Sequence, residues 1–476
     1  MLLTLESSTV LLVAHFKMAE LQTLPTEVIL HIGSYLRPKY TPGKKLLHDF
    51  DNDRLIQREL CGQRQALVFL TRTSRRHYNL FTSSLYESVR VHSGPKAPRQ
   101  WLSLMKTLSQ NKDLCRLVKQ LHIHLDGENA LSPTEVPDYE YAMGMATLEA
   151  WLKNACWPDA MYLFNVFELS SAVLFTLVNN AQDFILSAEP LSLSGILDAI
   201  NDMDEILSTQ QTNKSTLSSL KSFSMRKDYT DAESHWAWPR ERLFNARFID
   251  GARNLKESYI TGTALQFHNW SSTNLTTLAF SDSSMPLPIL ANAIRACPRL
   301  EQFFWKKPIQ RAVHPYAVHP WLILGALGIR RATLRTLVID FNGTCETDLQ
   351  SPPFELSTFT RLEAAWVDIS VFESNRANFT DAGSDPLNPT VVEGSPLIRT
   401  LPPSLRKLHM SGAMTEFIFD EVLWLTRPAN REPRHVPAEF AMDGGYLDGD
   451  MFKLWDYRND YEHIPTADLD RQPFLW

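Results

Sequence analysis

The chain has 476 residues, 44% hydrophobic and 21% charged, a composition typical of a globular protein with two or three domains. Its formal net charge of −7 argues against a general nucleic-acid-binding protein, because such proteins carry a basic face. The cysteines lie far apart and form no Cys-x-x-Cys pair, so we expect reduced thiols and no zinc site. The apolar run near the N-terminus lacks the basic residues of a signal peptide, so the sequence predicts a cytoplasmic and/or nuclear protein.

The first predicted element is a short amphipathic helix that ends at Leu36. Pro25 suits the first turn of a helix, where its missing N–H is not needed, and Glu27 suits the positive end of the helix dipole. A helix this short is not stable alone in water, so its apolar side must be buried against something. The apolar side consists of Val28, Ile29, Ile32 and Leu36.

A second apolar stretch runs from Leu67 to Phe81 and is followed by Leu85 and Tyr86. Together the two stretches resemble an F-box, which opens with Leu-Pro-x-Glu and an apolar helix. A second apolar helix of that family ends near Cys/Ser-Arg-Arg, and the motif closes with Leu-Tyr. The resemblance covers residues 21–90. The matching positions are Leu24, Pro25, Glu27, Val28, Ile32, Leu36, Leu67, Leu70, Ser74, Arg75, Arg76, Leu80, Leu85 and Tyr86.

Residues 37–62 depart from the family pattern, which joins its first two helices through a few residues. Pro38, Pro42 and Gly43 and the charged residues after them favour a surface loop inserted into the module. A second departure is His77, where the family more often has an aromatic or aliphatic residue.

An F-box docks on the Skp-family adaptor of a cullin-RING ubiquitin ligase, and the resemblance implies this role here. The rest of the chain would hold a protein target near the ubiquitin-charged enzyme, so the chain would be a non-catalytic receptor. The implied partners are the adaptor, through it a cullin, and a protein target, with no nucleic acid, membrane or cofactor. The alternative is a self-contained helical bundle with these residues in its core. The expected adaptor contacts are Leu24, Pro25, Val28, Ile32, Leu36, Leu67 and Leu70.

Beyond this region, short segments with apolar residues at positions i, i+3 and i+5 recur at irregular spacing. The pattern is similar to the strand unit of leucine-rich repeats, whose apolar residues fill a solenoid core. One unit departs from it, because Leu255 is followed by Ser258 at the second apolar position. A helix is predicted between two units, from Leu287 to Cys297. The units begin at Val118, Leu220, Leu255, Leu275, Leu300, Leu334, Leu362 and Leu405.

The sequence therefore predicts an α/β protein, in which an N-terminal helical F-box-like module is followed by an irregular leucine-rich-repeat-like αβ solenoid. An irregular α/β domain is the alternative. Residues 141–210 predict a helical segment, including a helix from Ala160 to Leu186. The predicted parts are a disordered extension at 1–20, the F-box-like module at 21–92, the repeat-like body at 93–413 and a C-terminal cap or tail at 414–476.

His122, His124 and Asp126 are the strongest candidates for chemistry. In a strand they would share one face, where they could coordinate a metal. The pattern is similar to the His-x-His-x-Asp of metallo-hydrolases, but those continue with His where this chain has Gly127. We interpret these residues as the polar face of a repeat strand. The leading hypothesis is a substrate receptor, the second is an interaction scaffold with no ligase role, and the third is a hydrolase.

Overall fold

The fold is taken from a computed structural model. It describes residues 23–36, 50–92, 97–125, 146, 148–150, 152–153, 166–188, 190–210, 217–227, 244–262, 265–266, 274–281, 285–306, 319–341, 355–368, 371, 400–411 and 439–442. The chain divides into two compact units, Met1–Leu220 and Lys221–Trp476, so the predicted boundary between residues 92 and 93 lies inside the first unit. Within the described ranges, no helix has the length and apolar character needed to cross a bilayer.

The described part of the first unit opens with a bundle of three helices. They are α1 (Thr26–Leu36), α2 (Phe50–Thr73) and α3 (Arg75–Glu87). Ser74 separates α2 from α3, and its side-chain oxygen accepts a hydrogen bond from the backbone N–H of His77 at 3.1 Å. This is an N-cap, which satisfies one of the free donors at the start of α3.

Helix α1 is confirmed, whereas the predicted loop over residues 37–62 is wrong in its second half. Helix α2 begins at Phe50, before the predicted loop ends. The helix breakers that favoured a loop, Pro38, Pro42 and Gly43, all precede this residue, and no proline follows them in α2. Residues 37–49 lie outside the described residues.

The three helices share one apolar core. Gly33 of α1 lies against the ring of Phe81, so α1 approaches α3 closely. Arg76 joins the same two helices, because its Nη2 donates to the carbonyl of Leu24 at 3.2 Å and to Oγ1 of Thr26 at 2.6 Å. The core consists of Ile29, Leu36, Leu67, Leu70 and Phe81, with Leu24, Ile32, Ala66, Leu80 and Leu85 packed partly buried against it.

Helix α3 runs directly into the first strand of a parallel sheet. The strands of the first unit lie in the order β1 (Ser88–His92), β2 (Gln120–Leu125) and β3 (Asp183–Ala188). The other helices that the structure describes in this unit are α4 (Ala97–Gln110), α5 (Lys112–Leu117), α6 (Val166–Leu177) and α7 (Pro190–Gln210).

The predicted helix from Ala160 to Leu186 is wrong at its C-terminal end, because α6 ends at Leu177 and β3 follows it. A turn at Asn179 and Asn180 separates the two elements. Ala181 then holds the position that leucine has in other units, with its N–H bonded to the carbonyl of Val178 at 2.8 Å. Because this residue is alanine, the pattern of apolar residues did not predict strand β3.

The second unit also has a parallel sheet. Its strands lie in the order β4 (Ser222–Lys227), β6 (Glu257–Thr261), β8 (Thr277–Ser281), β9 (Gln302–Lys306), β10 (Thr336–Asp340), β11 (Ala364–Asp368), β12 (Lys407–Ser411) and β13 (Glu439–Met442). A small separate pair consists of β5 (Phe244–Asn245) and β7 (Leu265–Gln266). Within the described part of this unit, the helices are α8 (Leu287–Ala296), which confirms the predicted helix, and α9 (Pro320–Leu327). The 3₁₀ turns described there lie at Arg247–Gly251 and Gly328–Arg330.

One hydrogen-bond pattern fixes where successive strands begin. The carbonyl of Lys256, just before β6, accepts from the N–H groups of Thr276 and Thr277 at 2.8 and 2.9 Å. The carbonyl of Thr276, just before β8, accepts in the same way from Glu301 and Gln302. The same pair of hydrogen bonds is accepted by the carbonyls of Lys119, Lys221, Glu301, Arg335 and Glu363. Each predicted unit start lies two residues before a strand, so the predicted strand positions are confirmed.

Two in-register rows of side chains form the core side of the second sheet. The row that includes Ser258 places a serine between Phe223 and Leu278, and its hydroxyl has no hydrogen-bond partner among the described residues. The buried apolar members of the two rows are Phe223, Leu278, Phe303, Leu337, Ala365 and Leu408, and Met225, Ile260, Phe280, Trp305, Ile339, Val367 and Met410.

Candidate functional site

The helical bundle exposes large apolar side chains. The exposed fractions are 42% for Val28, 47% for Leu30 and 61% for Tyr35 on α1, 53% for Phe69 on α2 and 51% for Tyr78 on α3. Elsewhere in the described ranges, the other large apolar side chain with such exposure is Ile329. This concentration of exposed apolar side chains makes the three-helix bundle the candidate interaction surface.

The geometry of α1 places Val28 and Tyr35 on one side. They are two turns apart, so they project from nearly the same direction, next to the side that faces the core. The Tyr35 hydroxyl lies 3.3 Å from Nε2 of His31, and the two rings meet edge to face. Leu30 projects from the other flank of the helix. The flank with Val28 and Tyr35 is therefore the apolar side of α1 that a partner can reach.

The structure brings the predicted adaptor contacts into one bundle, in three different environments. Pro25 and Val28 are exposed, and Leu24 and Ile32 are half-buried. The other three, Leu36, Leu67 and Leu70, are buried in the core of the bundle and are not accessible to a partner in this conformation.

The apolar side predicted for α1 is therefore shifted. The buried positions of this helix are Ile29, Gly33 and Leu36, whereas Val28 is exposed. The buried side is rotated toward Gly33, where the ring of Phe81 fills the space that a side chain at residue 33 would occupy. Helical periodicity alone did not distinguish the two flanks of the apolar side.

Four exposed side chains of the candidate surface were missed by the sequence interpretation. They are Leu30, Tyr35, Phe69 and Tyr78. The spacing of seven residues between Val28 and Tyr35 was the available signal for one of them. Phe69 lies between the core residues Leu67 and Leu70, and only the positions of the neighbouring helices decide that it faces solvent.

The histidines of β2 lie on the face of the strand opposite its apolar core residues. His122 and His124 are joined there by His92 of β1, with ring centroids 5.5 to 6.2 Å apart. Asp126 lies outside the described residues. Over the part of the chain that the structure describes, no group of three or more His, Cys, Asp or Glu side chains could hold a metal ion.

The second sheet carries aromatic side chains on the face opposite its core rows. Trp366 and His409 stack there with ring centroids 4.1 Å apart. Tyr259 is buried on the same face and its hydroxyl donates to Oε2 of Glu257 at 3.2 Å. Burial raises the pKa of Tyr259 well above its usual value, and the neighbouring carboxylate raises it further, so this hydroxyl stays protonated.

Comparisons with known proteins add no family. No protein-family model matches this chain, and no curated protein matches it.

Proposed function

We propose that this chain is the substrate receptor of an SCF-type (Skp adaptor–cullin–F-box) ubiquitin ligase. The observation that carries the proposal is the helical bundle, which is formed by the F-box-like residues and leaves large apolar side chains exposed. A free docking module needs both properties, since it must fold by itself and still present an apolar surface to its partner.

The local structure of the bundle also supports the proposal. The Leu-Pro-x-Glu element leads into α1, and Ser74 of the Ser-Arg-Arg element caps α3. Arg76 of the same element holds the start of α1 through Leu24 and Thr26. The two halves of the F-box-like pattern therefore contact each other, although many residues separate them along the chain.

The rest of the chain would bind the target. Parallel strands whose starts are fixed by one recurring hydrogen-bond pattern support a leucine-rich-repeat-like αβ solenoid. In this role the chain forms and breaks no bond; it raises the concentration of target lysines near the ubiquitin-charged enzyme. The proposal implies a cytoplasmic or nuclear location.

One observation favours the second candidate, an interaction scaffold with no ligase role. Leu36, Leu67 and Leu70 are F-box-like positions, and all three are used in the core of the bundle. A helical bundle that belongs only to the fold of this chain and binds no adaptor would also need these core residues. It would not need an exposed flank at Val28 and Tyr35, which is why the receptor remains the better-supported function.

Binding to a recombinant Skp-family adaptor tests the proposal. The double variant Val28→Glu with Tyr35→Gln changes the exposed flank of α1 without touching the core. We expect the wild type to bind and the double variant to bind at least tenfold more weakly. Ile329→Gln is the matched control, since it removes an equally exposed apolar side chain outside the bundle. A well-folded wild type that does not bind the adaptor would falsify the proposal.

A further inference from the structure

Exposed aromatic and arginine side chains flank the point where α2 ends and α3 begins. Phe69 and Arg72 lie one turn apart on α2, and Arg75 and Tyr78 lie one turn apart on α3. All four side chains are exposed. The cap residue Ser74 lies between the two arginines. We call these four side chains the junction surface.

The backbone beneath the junction surface is held by several hydrogen bonds. The hydroxyl of Thr73 donates to the carbonyl of Leu70 at 2.8 Å, and Ser74 caps α3. Arg76 is bound to the start of α1. Arg72 and Arg75, in contrast, are exposed and have no ion-pair or hydrogen-bond partner for their side chains among the described residues. The guanidinium groups of Arg72 and Arg75 are therefore available to a partner, on a backbone that hydrogen bonds hold in place.

The charge of this region is opposite to that of the whole chain. Residues 62–86 contain four arginines and no aspartate or glutamate, although the chain has a formal net charge of −7. Arg64 donates to the carbonyl of Ser88 at 3.2 Å, and Arg76 is bound to α1. The arginines left for a partner are therefore those of the junction surface.

We propose that the junction surface is the electrostatic part of the docking site and binds an acidic protein face with an apolar centre. Phe69 and Tyr78 would pack against that centre, and Arg72 and Arg75 would pair with carboxylates of the partner. Aromatic residues and arginine are the side chains most enriched at protein interfaces. This inference rests on the proposed function, because it takes the Skp-family adaptor as the partner.

The number of unpaired arginines on the junction surface favours an acidic protein over a nucleic acid as the partner. A nucleic-acid-binding surface neutralises many phosphates at once, and two free arginines on an acidic chain are too few for that. Pairing with carboxylates around an apolar contact needs only these two. The inference therefore predicts steered association with an acidic protein, which weakens as salt is added.

The test measures the rate and strength of adaptor binding from about 0.05 to 0.5 M salt. The variant Arg72→Glu with Arg75→Glu reverses the charge of the junction surface. We expect at least tenfold weaker binding at low salt, mainly through slower association, and a flatter salt dependence. Lys106→Glu with Lys112→Glu is the control, since it makes the same change of charge at exposed residues outside the bundle and should bind as the wild type.

Different outcomes overturn different claims. If the folded wild type does not bind the adaptor, both the proposed function and this inference are lost. If it binds and the charge-reversed variant binds equally well with the same salt dependence, only this inference is lost. The variant Arg72→Lys with Arg75→Lys keeps the charge and should keep the salt dependence, which separates lost charge from lost folding. An oligonucleotide that binds the wild type through these arginines, without any effect on the adaptor, would also overturn the inference.

Discussion

Gly33 of α1 lies directly against the ring of Phe81 of α3, and no Cβ fits between them. This contact sets how closely α1 packs on the other two helices, and through them it decides which flank of α1 remains exposed. A side chain at residue 33 would have to displace Phe81, one of the largest fully buried side chains of the described chain. The glycine is required by packing, since it is helical and needs no special backbone angle.

Replacing this glycine should destabilise the bundle. We expect Gly33→Ala to lower the free energy of unfolding by about 1–3 kcal/mol, because overfilling a packed core forces its neighbours to move. Chemical denaturation followed by far-UV circular dichroism measures the change. Gly62→Ala in α2 is the control, since nothing lies within 4 Å of its added Cβ, and it should raise stability by about 0.5–1 kcal/mol. Equal stability of both variants would show that α1 does not pack here.

Two serines of the second unit should respond to the same substitution with opposite signs. Ser258→Ala removes a buried hydroxyl that has no partner in the described structure, and we expect it to raise stability by about 1 kcal/mol. Ser404→Ala removes a hydroxyl that donates to the carbonyl of Leu362 at 2.9 Å, and we expect a loss of about 1 kcal/mol. Thermal unfolding of both variants checks the prediction, and a loss of stability in Ser258→Ala would contradict it.

The side chain of Arg330 caps the C-terminal end of α8. Its Nε donates to the carbonyl of Ile294 at 3.1 Å and its Nη2 to the carbonyl of Arg295 at 2.7 Å. We expect Arg330→Ala to cost about 1–2 kcal/mol, since it frees two helix carbonyls and removes a positive charge from the negative end of the helix dipole. Arg330→Lys should recover the charge but not the paired geometry. Arg331→Ala, an exposed neighbour, should change stability by less than about 0.5 kcal/mol.

The thiol of Cys297 should be unreactive in the folded protein. Burial raises the pKa of Cys297 from 9.0 to about 12, and the nearby charge of Arg330 opposes this only in part. The thiol therefore keeps its proton at neutral pH, and alkylation by iodoacetamide at about pH 8 should be far slower in the native protein than in urea. Because the unfolded thiol ionises first, its contribution to stability is complete below pH 9.0 and is lost as the pH rises toward about 12. Rapid alkylation of native Cys297, detected by mass spectrometry, would contradict this prediction.

Seven strands, β4, β6 and β8 to β12, were predictable because a buried leucine lies two residues before each of them. The strands β5, β7 and β13 have no leucine at that position and were not predicted. Apolar residues at i, i+3 and i+5 then alternate toward the core, as a half-buried strand requires. The pattern failed at β3, where Ala181 stands in place of the leucine. A small side chain can hold this position because the hydrogen bonds of the turn, and not the side chain alone, fix the start of the strand.

The bundle that contains the candidate site was predictable, but which of its side chains are exposed was not. The Leu-Pro-x-Glu and Ser-Arg-Arg elements identified the residues that fold together. Which apolar residues face outward depends on how α2 and α3 lie against α1, and the local periodicity of each helix does not reveal this packing. Phe69 and Leu70 are neighbours of similar hydrophobicity, yet one is 53% exposed and the other 2%.

The recurring pair of hydrogen bonds on one carbonyl also bears on how the second unit folds. The start of β8 is bonded to the carbonyl ahead of β6, and the start of β9 to the carbonyl ahead of β8. These hydrogen bonds set the register of each strand against its neighbour. The stretch of chain that connects the two strands is short, so the entropic cost of closing it is small. The parallel sheet can therefore form strand by strand, with each new strand bonded to the carbonyl ahead of its neighbour.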